Sequence, residues 1–361
     1  MTGPHVAGDL VDDRYEVIDY VNEGGMQFVY AAKDTILDRV VALKTPKNTS
    51  ALKRFNRSAI VSAKVNHPNI AKTLDYFECD EKPYLIEEFI QGSDLQNSFL
   101  KKIKFLDPYL AARVFHHLAK GIAAAHHVKV IHRDLKPSNV MVSDDPQFSV
   151  IKITDFGIAK MAGEELTEVA LGGVESITAS QTAIGALPYM APEAIETPKD
   201  VDLPADVWSV GAMMYEIITG EKPFGMGLIA VNKIMSANFN PFPSFLTINP
   251  QFSPLSTKLI ELIVLCLQKD PKKRPSADKL VELCSTLYYP ISERHEGIVA
   301  SIKYNSWGFI NLNSQNVFFN LDSVYGKLPK VGDRVVFSMS PGGGANRAHP
   351  IIRLIPEASA A

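Results

Sequence analysis

The stretch that most constrains this chain is Ile131-His132-Arg133-Asp134-Leu135-Lys136-Pro137-Ser138-Asn139, followed sixteen residues after its last member by Asp155-Phe156-Gly157. Any one of these acids alone is most simply a solvated loop charge. An ordered set of two acids, a lysine and an amide at fixed offsets is not. The surrounding 361 residues are enough for two domains and at least one large core. A hydrophobic fraction of 46% with 21% charged residues is ordinary for a soluble protein. Cys79, Cys266 and Cys284 show no paired spacing, which argues against a disulfide framework and a zinc site and points to a reducing compartment. No apolar run is long enough to span a bilayer, and the first dozen residues lack the basic-then-apolar order of a signal peptide. The expectation is a soluble, cytoplasmic protein with no membrane partner. The net charge of −3 nominates no polyanion by itself.

The two segments resemble the His-Arg-Asp-Leu-x-x-x-Asn catalytic loop and the Asp-Phe-Gly metal motif of protein kinases. The resemblance implies an α+β, bilobal kinase fold over residues 12–289, with a small lobe over about 12–88 and a large lobe over about 93–289. Residues 1–11 read as a flexible leader. ATP and Mg²⁺ (or Mn²⁺) follow as cofactors, because phosphoryl transfer asks the protein mainly to position two substrates and neutralise charge. Asp134 would accept or orient the proton of the substrate hydroxyl. Lys136, the residue that kinases of serine and threonine carry here, would lie against the transferred phosphate. Asn139 and Asp155 would hold the metal.

The phosphate-covering loop departs from the family. Laid on Gly-x-Gly-x-x-Gly-x-Val, the chain offers Asn22, Gly24 and Gln27 before Val29, keeping only the middle glycine and implying a stiffer lid. Lys44, in Val-Ala-Leu-Lys with Ala42, is expected to reach the α- and β-phosphates. Its usual partner is a glutamate on the next helix, read here from Lys53 to Val65, but Ser58 stands in that place and no acid occurs from Arg39 to Leu74. A candidate replacement is Glu87, at the gatekeeper position of Tyr84-Leu85-Ile86-Glu87-Glu88-Phe89-Ile90. An acid at the back of a dry pocket is tolerable only if matched, so Glu87 is expected to pair with Lys44 unless the alignment slips and it points to solvent. The Glu88 carbonyl and Ile90 backbone would bind adenine, and Asp94 the ribose.

Asp107 to His127 has helical apolar spacing, with Leu110, Val114, Leu118, Ile122 and Ala125 on one face. Its histidines, His116, His117, His126 and His127, read as surface or packing residues, since no acid or Cys joins them at ligand spacing. Between Gly157 and Ala191-Pro192-Glu193 the chain is rich in Ser, Thr, Gly and Glu. That composition reads as an activation segment with Thr178, Ser180 and Thr182 as phosphosites and Arg133 as their receiver. A homodimer for trans-autophosphorylation is the matching partner. Ala186 stands where such kinases carry a Thr that bonds the catalytic Asp and Lys. Asp206-Val207-Trp208 and an Arg274–Glu193 pair read as scaffold.

After Pro290 the pattern turns to short alternating strands over residues 295–355, with 356–361 as a tail. Asn305-Ser306-Trp307-Gly308-Phe309-Ile310 and Val317-Phe318-Phe319-Asn320-Leu321 resemble the two motifs of a cold-shock domain, a small all-β five-stranded OB-type barrel. That resemblance implies a platform of Trp307, Phe309 and Phe318 for single-stranded RNA or DNA. Asn320 replaces a His, Ser301 and Ile302 replace an aromatic pair, and residues 291–361 hold only seven Lys and Arg against five Asp and Glu. Binding should be weak. The other reading is a barrel kept for docking, with its aromatics partly core. Taken whole, the sequence points to a serine/threonine protein kinase with a nucleic-acid or docking module; the alternative is a nucleotide-binding pseudokinase scaffold whose barrel does the binding.

Overall fold

The computed structural model describes residues 3–23, 27–156, 185–290 and 292–356. Gly24, Gly157 and the three hydroxyls Thr178, Ser180 and Thr182 lie outside them.

The small lobe is a six-stranded sheet in the order β1-β2-β3-β4-β6-β5, from β1 (Leu10–Val11), β2 (Tyr15–Glu23), β3 (Gln27–Asp34), β4 (Arg39–Pro46), β5 (Thr73–Cys79) and β6 (Lys82–Glu88). Tyr15 and Val17, Tyr30 and Ala32, Val41 and Leu43, and Tyr84 and Ile86 are spaced by two, so each pair points to one face and they build a common core. Helix α1 (Thr49–Ser62) starts earlier than the apolar spacing suggests, because the Asn48 side chain accepts from Ala51 N at 3.0 Å and caps it. Phe55 and Ala59, four apart on α1, hold it against Leu85 of β6.

Residues 1–11 do not form a free leader, where they are described. Gly8 N donates to Val17 O and Val17 N to Asp9 O, both at 2.8 Å, and Val11 is buried opposite Tyr15. The apolar pair Leu10-Val11 is too short to register as a periodic strand, yet it extends the sheet edge.

The large lobe is organised around helix α2 (Pro108–His127), capped by Asp107, whose carboxylate accepts from Tyr109 N and Leu110 N. Its expected apolar face is buried, and so are Ala111, Ala112, Phe115 and Ala119 on other faces, as in a helix packed on several sides. Helix α3 (Pro204–Thr219) crosses α2 and α4 (Ser253–Cys266); a Cβ on Gly211 would come within 2.5 Å of Cys266 Cβ, so only glycine permits that approach. Helix α5 (Ala277–Ser285) packs on α2. Strands β7 (Gly92–Asp94), β8 (Val140–Ser143) and β9 (Ile151–Ile153) form a small sheet flanking the 131–139 loop. Arg274 meets Glu193 through two bonds, at 2.5 and 2.9 Å, with its guanidinium 5.0 Å from the Trp208 ring.

The C-terminal unit is a closed five-stranded barrel, β10 (Arg294–Lys303), β11 (Trp307–Leu312), β12 (Gln315–Asn320), β13 (Arg334–Ser340) and β14 (Arg347–Arg353), in the order β10-β11-β12-β14-β13. Val299, Ile310, Val317, Phe319, Val335, Phe337 and Ile351 fill it. The barrel is docked on the large lobe. Val336, Ile352 and Leu354, pointing outward, join the large-lobe core, and Tyr325 sits among Phe105, Phe245 and Phe252 at ring separations of 5.9, 5.7 and 5.0 Å. Arg294 Nη1 donates to Asp107 Oδ2 at 2.5 Å with both side chains buried, so the acid that caps α2 also anchors the barrel.

Candidate active site

The 131–139 loop is held from below by α3. Asp206, fully buried, accepts from His132 N and Arg133 N, each at 2.9 Å, and lies 3.0 Å from His126 Nε2. Burial alone would raise its carboxyl; the His126 hydrogen bond and charge, with the Arg133 N–H, outweigh that and hold it below the ordinary value. Arg133 has φ of +68° and Asp155 of +61°, a sparsely populated region for such residues that persists only where surrounding bonds over-determine it. The sequence by itself marks Asp206 only as scaffold and His126 as a surface or packing residue. A buried acid in the apolar run Val207-Trp208 is the signal that marks it.

Within the loop, Asp134 Oδ2 accepts from Lys136 Nζ at 2.8 Å and from Asn139 Nδ2 at 3.0 Å, and Asn139 Nδ2 also donates to Asp134 O at 2.8 Å. The amide nitrogen of Asn139 is thus occupied, which leaves its Oδ1 as the atom for a cation.

Facing this loop, Lys44 Nζ lies 2.6 Å from Glu87 Oε2 and 2.9 Å from Asp155 Oδ1, and both lysine and glutamate are buried. The strand register explains the first contact. Ala42 is opposite Glu87 and Lys44 opposite Leu85, so Lys44 and Glu87 are diagonal neighbours on one face of the sheet. Burial would lower the Lys44 ammonium, but the charges of Asp155 and Glu87 raise it above its usual value. Burial, aided by Asp155, raises Glu87 against the pull of Lys44. For Asp155, burial is outweighed by Lys44 and by the Gln27 amide, whose Nε2 donates to Oδ1 at 3.0 Å, and its carboxyl falls below the usual value. Asp155 therefore keeps its charge, and Glu87 is the first of the two to take a proton.

Two carboxylates against one ammonium leave one negative charge uncompensated in a cleft. With Asn139 Oδ1 this supplies two hard oxygen donors, the kind of partial set that suits Mg²⁺ completed by water and phosphate oxygens. No group of three or more His, Cys, Asp or Glu among the described residues could hold a metal.

The remaining candidates stand as follows. Val29 is opposite Lys44, and Ala42 shares its face. Glu88 ends β6 and its carboxylate accepts from Lys152 Nζ at 2.8 Å. Ile90 is buried in the strand-to-strand connection, and Asp94 accepts from Asn97 N and Nδ2 at 2.9 and 2.7 Å. On α1, Ser58 Oγ donates to Phe156 O at 2.5 Å. Ala186 is buried and makes no side-chain hydrogen bond to the loop.

A second cluster lies on the barrel. Phe309 is opposite Phe318 and Trp307 opposite Asn320, so the three rings share the outer face of β11 and β12, half-buried, with centroids 5.8 to 6.0 Å apart. They are not core; Phe319 is. Tyr304, 90% exposed, extends the row 6.3 Å from Trp307, and the Arg347 guanidinium stands 6.0 Å over Phe318. Neither was singled out from sequence.

Comparison with known proteins identifies the family of the N-terminal three quarters of the chain. Residues 15–284 match the model of the protein kinase domain. The chain is 31% identical over 273 residues to the probable serine/threonine-protein kinase PknB of Lactococcus lactis, covering 74% of this chain and 40% of that protein. It is 30% identical over 283 residues to the serine/threonine-protein kinase PknB of Mycobacterium leprae, covering 76% and 42%. It is also 30% identical over 276 residues to PrkC of Bacillus subtilis, covering 74% and 39%. The chain thus spans about two fifths of the length of these curated relatives. No helix among the described residues is long and apolar enough to cross a membrane.

Proposed function

The chain belongs to the protein kinase domain family, and from that premise we propose that it moves the γ-phosphate of ATP to serine or threonine hydroxyls of protein substrates. The observation that carries the reading is the uncompensated negative charge of Lys44, Glu87 and Asp155, set across the cleft from a loop that presents Asp134 and Lys136 together. Lys44 anchors the α- and β-phosphates while Glu87 holds its ammonium from behind. Asp155 and Asn139 hold the divalent ion, which supplies charge neutralisation on the phosphate oxygens when bound. Asp134 orients the attacking hydroxyl and receives its proton; Lys136, 2.8 Å away, stabilises charge on the phosphoryl group in flight. Thr178, Ser180 and Thr182 are the autophosphorylation sites of this reading, in trans within a homodimer.

The barrel, in this reading, is an OB-type, cold-shock-like module whose outer aromatic face stacks single-stranded bases weakly while another face stays docked. The test of the enzyme reading is label transfer from γ-labelled ATP with Mg²⁺ to the protein itself and to a general protein acceptor. Wild type should transfer and Asp134→Asn should lose at least about a hundredfold. A wild type that binds ATP and transfers nothing would instead make the chain a nucleotide-binding scaffold.

A further inference from the structure

We propose that Ser58 is a positioning residue that ties helix α1 to the metal-holding acid, so that in this chain metal presentation depends on α1 while lysine anchoring does not. The inference rests on the phosphotransfer reading above and deepens it. In the family this chain belongs to, a glutamate on the helix pairs with the lysine and so links the helix to phosphate anchoring. Here the two are divided.

Lys44 and Glu87 stand on β4 and β6, paired strands of one sheet, with Leu85 and Ala42 as their respective cross-strand partners. The sheet itself fixes their separation of 2.6 Å. Helix α1 contributes no acid, since none occurs between Arg39 and Leu74. A displacement of α1 can neither make nor break that ion pair.

Ser58 does something else. It is 5% exposed, and its hydroxyl donates to the carbonyl of Phe156, the residue after Asp155. The bond grips the backbone at a point where Asp155 is held at φ +61°, a conformation that needs outside support. The Phe156 ring is fixed on its other side by His132, at 4.5 Å between centroids. Ser58 lies next to Ala59 and one turn from Phe55, the two residues that hold α1 on Leu85. A shift of α1 off Leu85 therefore carries the hydroxyl away from Phe156 O and loosens the backbone that sets Asp155, while leaving Lys44 on Glu87.

The experiment compares wild type, Ser58→Ala, Ser58→Thr and Glu87→Gln in three measurements: the Kd of ATP without metal, the Mn²⁺ affinity of the ATP complex by electron paramagnetic resonance, and kcat. Loss of one buried hydrogen bond that leaves a carbonyl unpaired predicts that Ser58→Ala weakens Mn²⁺ binding and lowers kcat by about tenfold each. Metal-free ATP affinity should stay within about twofold, and Ser58→Thr, which keeps the hydroxyl, should recover most of both losses. Glu87→Gln should show the reverse split, with metal-free ATP affinity falling first. Unchanged Mn²⁺ affinity and kcat in Ser58→Ala overturn the inference, as does a parallel fall in all three measurements, which is what a merely structural role gives. A wild type that binds ATP but transfers no phosphate overturns the phosphotransfer reading and this inference with it; an active wild type with an indifferent Ser58→Ala overturns only the latter.

Discussion

Replacing Glu87 by Gln removes one charge from a buried cluster and almost no volume. At an effective dielectric constant of about 20, unit charges 2.6 Å apart attract by about 6 kcal/mol. Desolvation of two fully buried heads offsets most of that. Asp155, still 2.9 Å from Lys44, keeps the ammonium from being stranded, so the loss stays below the 3–5 kcal/mol typical of a buried charge left alone. What remains is the difference between a charge-assisted and a neutral hydrogen bond, about 1 to 2 kcal/mol. Each 1.4 kcal/mol is tenfold, so kcat/KM for ATP should fall about five- to thirtyfold. The fall should be larger in KM than in kcat, because Glu87 acts through the Lys44 ammonium that anchors the phosphates of bound ATP. Burial raises the Glu87 carboxyl, so the wild-type pair should fail on acidification at a higher pH than an ordinary glutamate would give. Glu87→Gln should lack that limb. The assay is steady-state phosphotransfer at saturating acceptor from pH 5.5 to 8, with circular dichroism as the control on folding. A folded Glu87→Gln protein whose kcat/KM stays within about twofold of wild type across that range refutes the argument.

Asp206→Asn keeps one acceptor where two backbone N–H groups need one each, so kcat should fall about tenfold or more. Because the folded Asp206 carboxyl lies below the ordinary 3.8, its contribution is complete above 3.8 and is lost as pH falls toward the folded value. The Tm gap between wild type and Asp206→Asn should therefore narrow below about pH 4, and a gap that widens there contradicts the assignment. Arg294→Ala strands the buried Asp107 carboxylate and should cost about 3 kcal/mol, read as a lower Tm and faster proteolysis at Pro290. The double change Asp107→Ser with Arg294→Met should cost less than Arg294→Ala alone. Trp307→Ala or Phe318→Ala should weaken binding of a single-stranded oligonucleotide by about 1–3 kcal/mol in fluorescence anisotropy, with a shallow salt dependence. Equal binding by wild type and variant would remove the platform.

What was legible in the sequence is what chemistry forces into local spacing. Asp134, Lys136 and Asn139 sit within one loop because they must converge, and that short-range order survives translation into letters. The approach of Glu87 to Lys44 is implied by the resemblance, which puts Glu87 at the gatekeeper position where the helix offers no acid from Arg39 to Leu74; the diagonal across paired strands that brings them together is visible only in the structure. The Arg133–Asp206 and Arg294–Asp107 contacts span 73 and 187 residues and depend on a helix packing under the loop and on the barrel docking at a helix start, which no local pattern encodes. The barrel is the instructive case. Val335-Val336-Phe337 and Pro350-Ile351-Ile352 are unbroken apolar runs, the mark of strands covered on both sides, and their outward members Val336 and Ile352 do lie in the large-lobe core. Trp307-Gly308-Phe309-Ile310 is equally apolar, yet its outward members stay half-open. Periodicity cannot separate these two strands; aliphatic against aromatic composition can, because branched aliphatics pack a permanent interface and flat rings offer a face to a passing base. Since docking and aromatic faces are different outer surfaces of one closed sheet, Trp307→Ala should leave Tm unchanged where Arg294→Ala lowers it. Conversely, Arg294→Ala should leave oligonucleotide affinity within about twofold, and the two changes together should be additive to within about 0.5 kcal/mol. Strong coupling between them would mean that the large lobe shapes the aromatic face, and that the barrel cannot bind as an independent surface.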